Sequence, residues 1–156
     1  MTSYAKTMQN IVETYRAAGQ PWPARSKDIA TWAIRERLWE FTESNAIKKC
    51  AEDLSKAMRE DYETDSKGRR VRQKHPVKKQ VDGKQQTFWD DINTAPHEHM
   101  ELAFQQRRRS IVADCMHLKT DVDSYNDQPR TSSQIEIVFD FTFDMEELDE
   151  FGVDAA

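Results

Sequence analysis

The sequence predicts a mainly α-helical chain with one small antiparallel β-hairpin, an α+β fold. Three observations carry that reading. Apolar residues recur at helical spacing in four separate stretches. An Asp-Gly pair, Asp82-Gly83, stands between two runs of alternating character, the strongest short-range hairpin signal. Hydrophobic residues make up 37% of the chain and charged residues 33%, a balance that suits long exposed helices better than a compact enzyme with a deep pocket. At 156 residues the chain is expected to hold one body with a tail. The expected divisions are a body over 1–94, a long packing or dimerisation helix over 95–126, and a linker, strand and acidic tail over 127–156.

The first helix is expected over 3–18, where Tyr4, Met8, Ile11, Val12 and Tyr15 form one stripe. Gly19 stops it, and Gln20-Pro21-Trp22-Pro23 cannot continue it because each proline restricts the residue before it. Trp22 reads as a core anchor or a lid over the first two helices. The second helix is expected over 27–38, with Ser26 as N-cap and Ile29, Ala30, Ala33, Ile34 and Leu38 as its packed side. Trp39 and Phe41 fill the corner before a third helix over 43–62, capped by Thr42 or Ser44. Its stripe is Ile47, Cys50, Ala51, Leu54, Met58 and Tyr62.

Residues 64–68, Thr-Asp-Ser-Lys-Gly, are turn chemistry leading into the hairpin. With Asp82 and Gly83 as the two loop residues, Val81 lies opposite Lys84 and Val77 opposite Phe88. The period of two sends Val71, Gln73, His75, Val77 and Val81 to one face, and Arg70, Arg72, Lys74 and Lys78 to the other. Between positions 67 and 79 there is no acidic residue. One face packs and the other is a row of cations. Asn93-Thr94-Ala95-Pro96 then starts a long helix to about Tyr125, with Thr94 as cap. Phe104, Ile111, Leu118 and Tyr125 recur every seven residues, and Cys115 and Val122 follow by four. Arg107, Asp114 and Asp121 interrupt that seam, so it serves packing on the body or a short dimer contact rather than an extended coiled coil. Arg107, Arg108 and Arg109 spread over about 200° of helix and read as intrahelical pairs with Glu101 and Asp114. Past the linker, Ile135, Ile137, Phe139, Phe141 and Phe143 alternate with Glu136, Val138, Asp140, Thr142 and Asp144, an amphipathic strand pattern that needs a sheet to join.

Charge is divided along the chain. The net charge is −5. Positions 134–156 hold eight acids and no base, and without them 23 basic residues face 20 acidic ones. A mildly basic body beside a strongly acidic tail suggests a polyanionic partner for the body. The tail is expected either to dock on a protein partner through its apolar face or to cover the chain's own basic hairpin.

The order helix, helix, turn, helix, basic hairpin over 3–92 resembles a winged-helix DNA-binding domain, with 71–92 as the wing. The run Ser26-Lys27-Asp28-Ile29-Ala30 is similar to the start of a helix-turn-helix first helix. The resemblance implies a third helix in the major groove, a wing on the backbone and duplex DNA as partner. It implies backbone contacts from Arg69, Arg70, Arg72, Lys74, Lys78 and Lys79, and base-edge contacts from Asn45, Lys48 and Lys49. A long helix after the wing resembles the dimerisation helix of several winged-helix regulators. The expected role is a regulator or an accessory factor of a DNA-processing system.

The sequence carries no Gly-rich phosphate loop, nucleophile elbow or helical His-x3-His pair, so we expect neither an enzyme nor a cofactor nor a metal site. His97 and His99 fall on opposite faces of a first helical turn and cannot chelate together. Cys50 and Cys115 are expected as buried free thiols in a reducing cytosol. No apolar run approaches the roughly 20 residues needed to cross a bilayer, and the N-terminus lacks a secretory h-region.

Overall fold

The computed structural model describes residues 3–151. Among them are five helices and two two-stranded antiparallel sheets, an α+β architecture. The chain divides into two compact units, Met1–Glu60 and Asp61–Ala156. The division falls after the third helix, so the three helices and the hairpin that were expected in one body lie in different units. Positions 152–156 of the expected acidic tail lie outside the described residues.

The first unit is three helices. α1, Tyr4–Ala17, is capped by Ser3, whose hydroxyl accepts from the Lys6 N–H at 3.1 Å. α2 is Ser26–Arg35 and α3 is Glu43–Arg59, where the Thr42 hydroxyl accepts from the Asn45 N–H at 3.1 Å. These caps satisfy N–H groups that a helix start leaves without intrahelical partners. Ile11 and Tyr15 of α1 meet Trp32 and Ala33 of α2 in a small core. Tyr15 and Trp32 pack edge to face at 5.4 Å, and the Tyr15 hydroxyl donates to the Pro21 carbonyl at 3.0 Å.

Several expectations for this unit are corrected. Ser26 is the first helical residue, not the cap. Arg25 takes the cap position and binds the Asp28 carboxylate through two N–H groups, both at 2.9 Å. Trp22 is exposed and lies under the Arg16 guanidinium, 4.5 Å away. α3 ends at Arg59, and none of its residues is buried. Ile47 is 62% exposed and Leu54 58%, and Cys50 is exposed as well. Helical periodicity reports an amphipathic face, but says nothing about whether a neighbour covers it.

The second unit opens with β1, Tyr62–Thr64, paired antiparallel with β2, Arg70–Arg72, so that Tyr62 faces Arg72. The Asp65 carboxylate shapes the turn by accepting from the Lys67 and Arg69 N–H groups, both at 2.9 Å, and Gly68 supplies a positive φ of 78°. β3, Lys74–Val81, then pairs with β4, Lys84–Asp91. Val81 lies opposite Lys84, Val77 opposite Phe88 and His75 opposite Asp90, as the Asp-Gly turn requires. Asp82 and Gly83 both take positive φ, 50° and 76°. The arm is therefore two short sheets rather than one strand running from 71. The break is at Gln73, whose N–H donates to the Asp61 carbonyl while its own carbonyl accepts from Ile92.

α4 is His97–Asn126, and its cap position is Pro96, not Thr94. Thr94 lies two residues earlier, in a turn closed by hydrogen bonds from Thr94 and Ala95 to the Asp91 carbonyl. Its first two turns bury His99, Met100 and Ala103, and His75 and Val77 of β3 are buried with them as the core of this unit. Beyond Ala103 no residue of α4 is buried, and the seam residues Ile111 and Leu118 are 54% and 44% exposed. Cys115 is half-buried, and both cysteines are free.

The strand expected in the tail does not form. Residues 127–134 turn the chain, and the Asn126 side chain holds the backbone of Ile135 by donating to its carbonyl and accepting from its N–H, both at 2.9 Å. Positions 135–141 have no regular structure. α5, Thr142–Phe151, follows. The alternation survives only locally, as Phe139 and Phe141 meet edge to face at 6.4 Å. In the turn that leads into α5 the Asp140 carboxylate accepts from the Thr142 N–H and hydroxyl, and Asp144 in the first turn of α5 favours the N-terminal end of a helix. No helix of the described residues is long and apolar enough to cross a membrane.

Candidate nucleic-acid interface

The arm is held against α4 through its backbone. Gln106 of α4 accepts from the Lys78 N–H at 2.8 Å and donates to the Lys78 carbonyl at 2.9 Å. His99 donates from Nε2 to the His75 carbonyl at 2.9 Å. These bonds satisfy strand groups that β4 does not reach. His75 stacks edge to face with Phe104 at 5.3 Å and donates from Nε2 to the Arg72 carbonyl at 2.8 Å. The distal half of the hairpin projects beyond this anchor.

The nine residues expected to contact nucleic acid fall into three groups. Arg69, Lys74 and Lys49 are paired with carboxylates. Arg69 binds Asp65 at 2.7 Å and Lys74 binds Asp91 at 2.9 Å, while Lys49 binds Asp53 one turn along α3. The Lys74 hydrogen bond holds the Asp91 carboxyl below its ordinary range, and backbone and side-chain bonds from Arg69 do the same for Asp65. Asn45, Lys48 and Arg70 are engaged in other ways. The Asn45 amide donates to the Glu40 carbonyl at 2.8 Å, so it shapes the start of α3. Lys48 lies over the Tyr4 ring at 4.4 Å and Arg70 over the Tyr62 ring at 4.4 Å. Lys78 and Lys79 are exposed, with no ion pair among the described residues, and Arg72 is half-buried. Asn45, Lys48 and Lys49 belong to the first unit and the arm residues to the second.

Two further cations belong with the arm. Lys84 opens β4 across the turn from Val81 and is exposed. It stands next to the same Asp-Gly pair that defines the hairpin, and that proximity was the available signal. The other is Arg107. The pairing expected for it with Glu101 or Asp114 is not found, and it lies one turn beyond the buried Ala103 on the face of α4 that meets the strands. Its position depends on tertiary packing, so no local pattern marks it.

The five apolar tail residues are all solvent-exposed, from 36% for Phe139 to 75% for Phe143. Among the described residues no cluster of three or more His, Cys, Asp or Glu side chains is placed to hold a metal. Compared with known protein families, curated proteins and solved structures, the chain matches none.

Proposed function

We propose that the chain binds nucleic acid, duplex DNA first, with the β3–β4 hairpin acting as a wing along the phosphate backbone. The observation that carries this reading is the distribution of charge on the hairpin. Lys78, Lys79 and Lys84 are exposed around its distal half without ion pairs among the described residues, whereas the paired cation, Lys74, sits at its base. Three unpaired ammonium groups on a rigid ribbon present a local positive field that phosphates neutralise with release of counterions. The ribbon is pre-organised by its turn and by Gln106, so little ordering cost falls on binding. On this reading the wing of a winged-helix domain is the element most closely paralleled. The affinity then comes from backbone contacts, and base reading by α3 carries less of it, since Asn45 and Lys49 are held by Glu40 and Asp53.

The test is a salt series of duplex binding with the full chain and a Lys78→Gln, Lys79→Gln, Lys84→Gln variant. The variant binds more weakly, and the slope of log affinity against log salt becomes shallower by about 0.9 for each lysine that meets a phosphate. An unchanged slope removes the hairpin from the mechanism.

The exposed apolar side chains over 135–151 favour a second reading, a protein partner gripped by the acidic tail. Deleting 134–156 then abolishes the partner interaction and leaves duplex binding in place.

A further inference from the structure

A guanidinium does not give up its proton in a protein, so when it leaves water it needs acceptors or a counter-charge. Among the described residues of the second unit, Arg72 departs from that rule. Arg72, the last residue of β2, buries its Nε–H with no acceptor. Its carbonyl binds His75, whose ring packs on Phe104 of α4, and Arg107 follows Phe104 by three residues on that helix. Arg107 of α4 is drawn partly out of water, and burial together with the positive charge of Arg72 pushes its pKa below the ordinary value. Neither arginine has a carboxylate partner among the described residues, although the same unit pairs Arg69 with Asp65 and Lys74 with Asp91.

The surroundings add positive charge and aromatic surface. Tyr62 faces Arg72 across the β1–β2 register, and it is within electrostatic reach of Arg107. Arg70 lies over its ring. His75 is buried with its Nε2–H on the Arg72 carbonyl, and it too feels the charges of Arg72 and Arg107. Two stretches far apart in sequence therefore bring the Arg72 and Arg107 guanidinium groups into one charged neighbourhood, and the Arg72 Nε–H there lacks an acceptor among the described residues. A buried polar group left without a partner points to something that completes it.

We infer that Arg72, at the end of β2, and Arg107 of α4 form a phosphate-binding site. A phosphoryl group offers oxygens to both guanidinium forks, and a monoester or adjacent phosphodiesters bring enough negative charge to offset two cations. A single carboxylate leaves one of them uncompensated. The side chain of Arg107 reaches solvent, so the site is open to a ligand. Gln106, its neighbour in sequence, is bound to the backbone of Lys78, which ties the site to the root of the wing. The inference deepens the nucleic-acid reading and rests on it for the source of the phosphate, whether a backbone or a small free phosphate.

The experiment titrates the full chain with pyrophosphate and, separately, with a short DNA duplex, following the arginine Nε–H resonances by NMR and affinity by calorimetry. Arg107→Gln is the main variant because its side chain is not sealed into the core; Arg107→Lys keeps the charge and loses the fork. Circular dichroism verifies that each is folded. The expected result is that both ligands shift the Arg72 and Arg107 Nε–H signals. Arg107→Gln weakens pyrophosphate by about tenfold or more, and Arg107→Lys recovers only part of the loss. Pyrophosphate binding that needs Arg107, with no duplex binding, keeps the site for a small phosphate and overturns the nucleic-acid reading. Duplex binding that falls in the triple-lysine variant but not in Arg107→Gln, with no pyrophosphate response, overturns the site and leaves the wing. Arg72 and Arg107 signals that respond to neither ligand overturn the inference outright.

Discussion

His75 connects three parts of the second unit. Its side chain bonds the Arg72 carbonyl, its ring packs on Phe104, and its own carbonyl receives His99. Burial is the main reason its pKa lies below the ordinary 6.5, and the nearby charges of Arg107, Arg72 and His99 push the same way, against the hydrogen bond to the Arg72 carbonyl. The unfolded chain therefore takes up a proton at a pH where the folded one resists it. Stability is fully present above about pH 6.5 and is lost as pH falls through the lower folded value. We expect the thermal midpoint of this unit to drop as pH falls below about 6.5, with a flatter profile for His75→Gln, which keeps a donor for the Arg72 carbonyl without the proton uptake. Asp90 across the strand, Arg72, Arg107 and His99 are the other charged or titratable groups around it. A slope that persists unchanged in His75→Gln removes His75 as its source. The Asp65 and Asp91 carboxyls act in a separate window, because their folded values lie below 3.8 and their contribution is lost only in stronger acid.

At the scale of elements, the hairpin depends on its turn and on its anchor. A Cβ added at Gly83 would meet nothing within 4 Å, so the cost of a side chain there is conformational alone. With φ at 76°, Gly83→Ala is expected to destabilise the second unit by about 1 kcal/mol in urea unfolding. Gln106→Ala leaves both the N–H and the carbonyl of Lys78 without their protein partner, at a site water reaches, and is expected to cost about 1–2 kcal/mol. It also loosens the wing, so its effect on duplex binding exceeds that of a neutral change at the exposed Gln105. The hairpin register was legible because an Asp-Gly pair constrains both φ angles locally and so sets every pair that follows. The Thr42 cap was legible because a hydroxyl just before a helical stripe answers a local need for an acceptor, whereas the Ser3 cap was not read from the sequence. The break at Gln73 was not, since the alternation runs through it and only the tertiary bonds to Asp61 and Ile92 divide the arm. In the tail, the five-residue alternation concealed the signal of Asp140 and Thr142 for a helix start. Of the candidate site, the exposed Lys78 and Lys79 followed from the pattern. The Arg69–Asp65 pair lies within one turn and was overlooked there, whereas the Lys74–Asp91 pair and the packing of α4 on β3 that brings in Arg107 join residues through folding that no single stretch specifies.

For the whole molecule the governing quantity is how charge is divided. Positions 61–133 hold 13 basic and 12 acidic residues, so the wing's cations sit in a nearly neutral setting, while 134–156 add eight acids and no base. The Asn126 bonds to Ile135 start that acidic stretch beside the end of α4, and α5 then keeps its acids on an ordered helix. On the nucleic-acid reading, a phosphate backbone drawn to the hairpin is opposed by the eight acids that the same chain carries over 134–156. Their field acts over about 10 Å at 0.1 M salt and about 30 Å at 0.01 M. Deleting 134–156 is expected to tighten duplex binding in low salt, and the gain is expected to shrink as salt is raised until the two proteins bind alike. Fluorescence anisotropy across a salt series reads this directly, with the Lys78, Lys79 and Lys84 variant carried in both backgrounds. If the tail acts only through its field, the deletion shifts affinity without changing how many cations the duplex neutralises, so the salt slope differs little and the triple-lysine loss is the same in both. If the tail instead occupies the wing, the triple-lysine change weakens the deleted protein far more than the full chain, because in the full chain those lysines serve the tail as well as the duplex. Equal affinity at low salt in the presence and absence of the tail excludes both forms of competition and leaves the acidic helix to the protein-partner reading.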